Sequence, residues 1–364
     1  MDPLTKPRAA AFLSIKTQFD NLGDALINRE LCVLAADRVR TLVDFSRSPV
    51  SFQRSMGVDQ HPNVVAIRRF GYARLVASML WYRLRGWHCY FFLNPGGLGG
   101  KKKSLKSIVS AAVYNILLGF LRMAGVRICH VGISFDPMDP PQLAIAKWRR
   151  RLLYSFAVRD QLSAEYLKTI RMPPDEIVPD LSFNLYRGVR PKKEETGRIA
   201  FSFRFDGKTE SKVIAAAVHR ITDRFGAERE FVFVSQVARD EPGMRALHRS
   251  CQEAGIRSSF LPCHDSIEQL LGAYAECEAI YSNRLHALLL AAHAGAAPYA
   301  LVSSGAQPKI EGMFRDLGLD DRLVFLDDVD ATNREVSPLD LSLFESEHRS
   351  LHNYFDRLLQ TSSR

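Results

Sequence analysis

The residues best suited to chemistry lie in one short segment, Ala279-Ile280-Tyr281-Ser282-Asn283-Arg284-Leu285-His286. A strand pattern ends there, and small apolar residues then run at helical spacing to Gly295, with Pro298 beyond. Ser282 or Asn283 can cap that helix, and the spacing predicts Arg284 and His286 in its first turn. Free amides and the helix dipole favour an anion at such a place. Arg284 adds fixed charge, and His286 can give or take a proton near neutral pH. The plain alternative for His286 is a satisfied core histidine. His293 falls in the helix body and reads as structural.

Further cations follow other strands. The strand predicted at 155–158 ends in Arg159-Asp160, and an arginine at a strand's carboxyl end suits a carboxylate or phosphate. A structural Arg159–Asp160 pair is the alternative, and Ser163 could cap the next helix. Arg204 follows Phe201-Ser202-Phe203 in an equivalent position, and Lys309 follows the strand predicted at 298–302, placed to point at the same cleft as His286. Two turn segments complete the set. Asn21-Leu22-Gly23-Asp24 leads from a first strand into a helix, where Gly23 permits a tight turn and Asn21 or Asp24 can cap exposed amides. Asn94-Pro95-Gly96-Gly97-Leu98-Gly99-Gly100 can bring backbone N–H groups to an anion. It lacks the order of a nucleoside-triphosphate loop.

These segments need strands to carry them. Strands are expected at 9–15, 90–93, 127–133 and 155–158, and helices at 24–36 and around 105–123. A polar stretch at 187–197, holding Gly and Pro, reads as a linker. Alternation resumes with strands at 198–203, 230–235, 256–261, 278–281 and 298–302, and helices at 211–225 and 243–254. Strands alternating with helices predict parallel sheets covered on both faces. The expected fold class is therefore α/β, with two Rossmann-like domains facing a cleft at 1–186 and 198–338. A last helix within 339–364 is expected to pack back on the first domain. Ligands in such sheets bind beyond the carboxyl ends of the strands.

Composition sets the limits. The 364 residues are 46% hydrophobic and 24% charged, ordinary for globular domains. The formal net charge is +9, with basic clusters at Lys101-Lys102-Lys103, Lys106 and Arg149-Arg150-Arg151, which suit an anionic partner. Solvated faces are the plainer reading of each cluster. Six scattered cysteines form no Cys-x-x-Cys, so buried free thiols are expected rather than disulfides, and no metal site is expected. The first residues lack the apolar core of a secretory signal. The longest apolar run, 108–124, is interrupted by Ser110, Asn115 and Arg122. A cytoplasmic protein is expected, with attachment to the surface of an anionic membrane left open.

Taken in order, Asn21-Leu22-Gly23-Asp24, Gly96-Gly97, Gly132-Ile133-Ser134, Val158-Arg159-Asp160, Pro179-Asp180-Leu181, Arg284-Leu285-His286 and Lys309-Ile310-Glu311-Gly312 resemble the polysaccharide pyruvyl transferase family. The resemblance implies a glycosyltransferase type B-like fold and phosphoenolpyruvate as donor. It places Arg159, His286 and Lys309 where the family carries its important donor-site residues. It implies an acceptor sugar of an exopolysaccharide or cell-wall precursor, either lipid-diphosphate-linked or nucleotide-linked. The first domain then holds the acceptor, with Asn21, Gly23, Asp24, Gly96 and Gly97. The second holds the donor, with Arg284, Arg204, Ser282 and Asn283. No cofactor is needed by the chemistry, in which His286 serves as general acid and Arg159, Arg284 and Lys309 hold the donor's phosphate and carboxylate.

Two other classes fit parts of the pattern. A nucleotide-sugar glycosyltransferase would use the same cations on a diphosphate, with Glu311 as a candidate partner for the ribose. Nucleic-acid binding is disfavoured, because the aromatics follow strand and helix periods instead of alternating with Arg and Lys on one face.

Overall fold

The computed structural model describes residues 8–100, 104–188, 196–205, 208–303, 305, 307–326, 336–337 and 339–359. The Lys101–Lys103 cluster and most of the expected linker, 189–195, lie outside them. The chain divides into two units. The first comprises Met1–Thr17, Ile27–Asn184 and Glu347–Arg364, and the second Gln18–Leu26 and Leu185–Ser346. That Gln18–Leu26 groups with the second unit had no counterpart in the sequence reading.

The first unit is built on β1 (Ala9–Ser14), α1 (Leu22–Ala36), β2 (Arg40–Asp44), α2 (Val50–Met56), β3 (Val64–Ile67), α3 (Gly71–Leu84), β4 (His88–Phe92), β5 (Gly96–Leu98), α4 (Leu105–Met123), β6 (Arg127–Phe135), α5 (Pro140–Leu152), β7 (Ser155–Val158), α6 (Gln161–Thr169) and β8 (Glu176–Ile177). Its parallel sheet runs β3-β2-β1-β4-β6-β7-β8, with β5 pairing β6. Near-continuous apolar strands such as Ala10–Leu13 and Tyr90–Phe92 are buried to the last residue, as a sheet covered on both faces requires. Leu75 and Met79 of α3, Leu118 and Leu121 of α4, and Ala164 and Leu167 of α6 join Phe12, Phe91 and Phe156 in one core.

The second unit holds β9 (Arg198–Ser202), α7 (Lys208–Phe225), β10 (Glu230–Ser235), α8 (Glu241–Glu253), β11 (Ser258–Pro262), α9 (Ile267–Ala275), β12 (Ala279–Ser282), α10 (Leu285–Ala294), β13 (Ala297–Val302), α11 (Pro308–Asp316) and β14 (Leu323–Phe325). Its six strands are ordered β11-β10-β9-β12-β13-β14, all parallel. That is the doubly wound order, in which the connections reverse direction between β9 and β12. Phe201, Phe231, Phe233 and Tyr281 pack their rings together across adjacent strands.

The final helix, α12 (Ser342–Leu359), passes from the second unit to the first. Its later turns are tied into the first unit by Arg38, which donates to Asp356 at 2.7 Å, and by Tyr354 and Ser155, whose hydroxyls lie 2.7 Å apart. All six cysteines are buried and free. Burial pushes the thiols of Cys32 and Cys129 well above their ordinary value, so they stay protonated and inert.

Candidate functional site

In the second unit the reversal point between β9 and β12 is where side chains from several loops converge. β12 ends at Ser282, and its hydroxyl donates to the Ser202 carbonyl at the end of β9 while accepting the Arg284 N–H at 3.0 Å. Asn283 then locks the two loops. Its Oδ1 accepts from the Arg204 N–H at 2.7 Å, and its Nδ2 donates to the Arg204 carbonyl at 3.0 Å. Ser282 and Asn283 thus act on backbone, and neither caps α10 directly. The cap is Arg284 itself, in extended backbone and without a side-chain capping bond. The amides of the first turn of α10 are accordingly not taken by an N-cap side chain.

The Arg284 guanidinium is 9% exposed and pairs with the buried carboxylate of Asp240, in the turn that follows β10. Burial pushes the Asp240 carboxyl above its ordinary range against the opposing pull of Arg284 and Arg239. The same burial pulls Arg284 down, and Asp240 opposes it. A desolvated pair of this kind is worth little as net stabilisation, yet stripping one partner leaves an uncompensated charge. Arg284 Nε is buried and has no hydrogen-bond partner among the described residues. A buried N–H of that kind calls for an acceptor. Arg204 and Arg239 beside it are both exposed, so three guanidinium groups contribute to the field at this point.

His286 stands half-buried in the first turn of α10. Its ring lies against the backbone of Gly23. A Cβ placed on Gly23 would come 2.5 Å from His286 Nδ1 and 3.0 Å from its Cγ, closer than real carbon atoms approach. The glycine is needed there for space. Asn21 shapes the segment around it, accepting the Gly23 N–H at 3.0 Å and donating to Asp24 at 3.2 Å. Asn21 also forms an antiparallel bridge with Val237, and Arg239 donates to Gln18 at 2.9 Å. So Asn21, Gly23 and Asp24, expected on the acceptor side, belong with the His286 cluster of the second unit. Lys309 occupies the first turn of α11, after the next strand of the sheet, and is half-buried. Near it Glu311 accepts from the Gly305 N–H at 2.9 Å.

Arg159, in the first unit, sits in a different setting from the one expected. Its partner is Asp180 rather than Asp160: Arg159 NH1 donates to Asp180 Oδ2 at 2.7 Å and Nε to the Ser134 hydroxyl at 2.7 Å. Asp160 instead caps α6 through the Ser163 N–H at 2.7 Å and accepts from Ser134 at 2.6 Å. Ser163 does not cap; its hydroxyl accepts from the Phe135 N–H at 2.8 Å. A bulge in β6 at Gly132, where φ is 71°, shifts the register so that Ser134 can make these bonds. The segment expected to be a glycine loop contains a strand, β5, in which Gly96 and Gly97 lie opposite Ile133 and Ser134. Its backbone is partly used in sheet pairing, which limits what it can offer a ligand. Beside it, buried His130 donates from Nε2 to the Asn94 carbonyl at 3.2 Å, and burial pulls its pKa down to about 3.

Asp240, Arg239, Asp180 and Ser134 carry much of this geometry without having been singled out for it. Asp180 and Ser134 were within reach, since both lie in segments on which the family resemblance rests. Asp240 follows a strand end in the way Arg204 does, and only its pairing with a residue far along the chain distinguishes it.

A family model described as Polysaccharide pyruvyl transferase matches residues 21–305, a span holding every residue just described except Gln18, Lys309 and Glu311. The chain belongs to the polysaccharide pyruvyl transferase family. It is a transferase of polysaccharide pyruvylation. No curated protein matches the sequence significantly. Among solved structures, Anabaena HepE in complex with UDP and glucose is similar at a TM-score of 0.53 and 13% identity, over 96% of this chain and 95% of that one. The UDP-GlcNAc 2-epimerase of Methanocaldococcus jannaschii is similar at a TM-score of 0.54 and 10% identity, over 96% and 99%. At such identities the likeness concerns the fold, which is glycosyltransferase type B-like with two Rossmann-like units. A pyruvyl transferase on this scaffold illustrates that function resides in the site and not in the fold.

Proposed function

We propose that the protein transfers the pyruvyl group of phosphoenolpyruvate onto two hydroxyls of a sugar in an exopolysaccharide or cell-wall glycan precursor, forming a pyruvate ketal. The observation that carries this reading is the cluster at the reversal point of the second sheet: an acid–base group, His286, on a helix N-terminus beside the buried Arg284 and the exposed Arg204. A small polyanionic donor with both phosphate and carboxylate matches that concentration of cations.

In the reaction, His286 delivers a proton to the methylene carbon of phosphoenolpyruvate, making the central carbon electrophilic. One sugar hydroxyl attacks that carbon and returns its proton to His286. The C–O bond to phosphate breaks, and a second hydroxyl closes the ketal, its proton leaving with phosphate. The net products are the ketal and inorganic phosphate, with no change of oxidation state and hence no requirement for a redox cofactor. General acid catalysis of this kind is worth about 10²–10⁴-fold. Arg284, Arg204 and Lys309 hold the donor's anionic groups and stabilise departing phosphate. The acceptor sugar is carried on a lipid diphosphate or a nucleotide; a lipid-linked acceptor at the cytoplasmic face of the membrane would suit the net charge of +9.

The fold's likeness to HepE with bound UDP keeps nucleotide-sugar transfer as the second reading. Calorimetric titration separates the two. Phosphoenolpyruvate should bind, and Arg284→Lys should weaken it, while UDP-sugars should not bind. Binding of UDP-sugars alone would replace pyruvyl transfer with glycosyl transfer.

A further inference from the structure

The first unit carries a helix whose outer face suits a lipid surface better than water. Along α4, Leu105, Val109, Val113, Ile116, Phe120 and Met123 are all exposed, from 49% at Phe120 to 82% at Met123. Their spacings of three and four residues place them along one side of the helix. Between Lys106 and Arg122 that helix has no charged residue. An exposed stripe of this length, about 28 Å, is more than scattered surface apolar residues explain.

The opposite side of α4 is fixed in the fold. Leu118 and Leu121 enter the core, and Tyr114 meets Tyr72 of α3 with ring centroids 6.2 Å apart. Buried Asn115 donates to the Ile145 carbonyl of α5 at 3.0 Å and accepts from Arg149 at 2.9 Å. Among the described residues α4 is the one helix long and apolar enough to cross a membrane. With one side committed to the core and to an arginine, it is built to lie on a surface instead.

Charge identifies the surface. Residues 60–159, which include α3, α4 and α5, hold 16 Lys and Arg, and their only acidic residues are Asp136 and Asp139. The whole chain has 49 basic and 40 acidic residues, so the remainder is net acidic and the positive excess falls in the stretch of sequence that contains this helix. Exposed Lys106 and Arg122 stand in the first and last turns of α4. A second copy packed symmetrically on the stripe would set this cationic region against itself. A nucleic acid would match the charge and have no use for the apolar face. An anionic bilayer satisfies both.

We propose that the outer face of α4 docks the protein onto an anionic membrane, its apolar stripe entering the headgroup boundary and the surrounding Lys and Arg meeting lipid phosphates. The surface does not depend on the donor chemistry, and its test contains neither phosphoenolpyruvate nor glycan, so either reading can fail without the other.

The test is cosedimentation of the full chain with phosphatidylcholine vesicles, with and without phosphatidylglycerol, at low and high salt. The comparison protein is Val113→Asp/Ile116→Asp/Phe120→Asp, whose unchanged thermal melting would show that the fold is intact. The wild type should bind the anionic vesicles and be released by salt. The variant should bind them at least about a hundredfold more weakly, since three large apolar side chains lose their burial. No binding by the wild type, or equal binding by the variant, overturns the proposal. So does a wild type that self-associates through these residues and ignores vesicles.

Discussion

Gly23→Ala tests the link between the turn after β1 and His286. The methyl group would begin 2.5 Å from His286 Nδ1, 3.0 Å from its Cγ and 3.1 Å from its Cβ. Ordinary contact requires the ring to retreat by about 1 Å, and a misplacement of that size typically costs roughly 100-fold in rate. Stability should change little. Gly23 lies in the first turn of α1 without a positive φ, so alanine strains no backbone and gains up to about 1 kcal/mol of helix preference. Against this stands an overpacking cost of about 1–3 kcal/mol, at its lower end because the half-buried ring can swing aside.

The assay is phosphate release from phosphoenolpyruvate with a glycan acceptor, alongside a thermal melt and a donor titration. Gly23→Ala should lose roughly two orders of magnitude in turnover, keep its fold and keep most of its donor affinity, which the arginines supply. In a His286→Ala background the same substitution should cost little further in rate, since the ring it displaces is gone and only the 3.1 Å contact with Cβ remains. Wild-type turnover in Gly23→Ala, or an equal additional loss in the His286→Ala background, would refute the positioning argument.

Two other outcomes follow from buried groups of the first unit. Arg159→Ala leaves Asp180 fully buried without its cation and should cost about 3–5 kcal/mol in urea unfolding; a loss below about 1 kcal/mol would mean that the Asp180 pairing is not what holds Arg159. His130 titrates at about 3 in the folded protein and at an ordinary value near 6.5 when unfolded. Above the unfolded value both states are neutral, whereas below it the unfolded chain takes up the proton first. Stability should therefore fall as pH drops from about 6.5 towards 3, by about 1.4 kcal/mol per unit at most, and His130→Gln should flatten that slope in acid titrations.

Local period carried the fold a long way. The strand at 155–158 and the helix at 105–123 appear with the expected limits, because the strand ends on a compact apolar run before Arg159-Asp160 and the helix is mostly apolar over about five turns, with Ser104 capping its start. Residues 40–85 contain β2, α2, β3 and α3, none of them assigned from the sequence. There β3 has only four residues, three of them half-buried, too short a run to show a period. β5 is three residues of which two are glycine, so its strand character comes from pairing with β6 and from nothing local.

The candidate site divides in the same way. Arg284 and His286 were legible because a strand end, a helix start and their own chemistry fall within a few residues. What those groups lean on is distant in sequence: Asp240 lies 44 residues before Arg284, and Gly23 is brought to His286 from near the start of the chain. Neither partnership has a local signature. A buried arginine nevertheless implies a carboxylate somewhere, as a desolvated cation without one would not be tolerated. Both the burial of Arg284 and the identity of its partner are properties of the fold. The same logic separates the two arginines as donor ligands. Arg159 has two of its nitrogens engaged by Asp180 and Ser134, whereas Arg284 retains a buried Nε with no acceptor among the described residues. Of the two, Arg284 is the one whose hydrogen-bonding capacity a bound anion would complete.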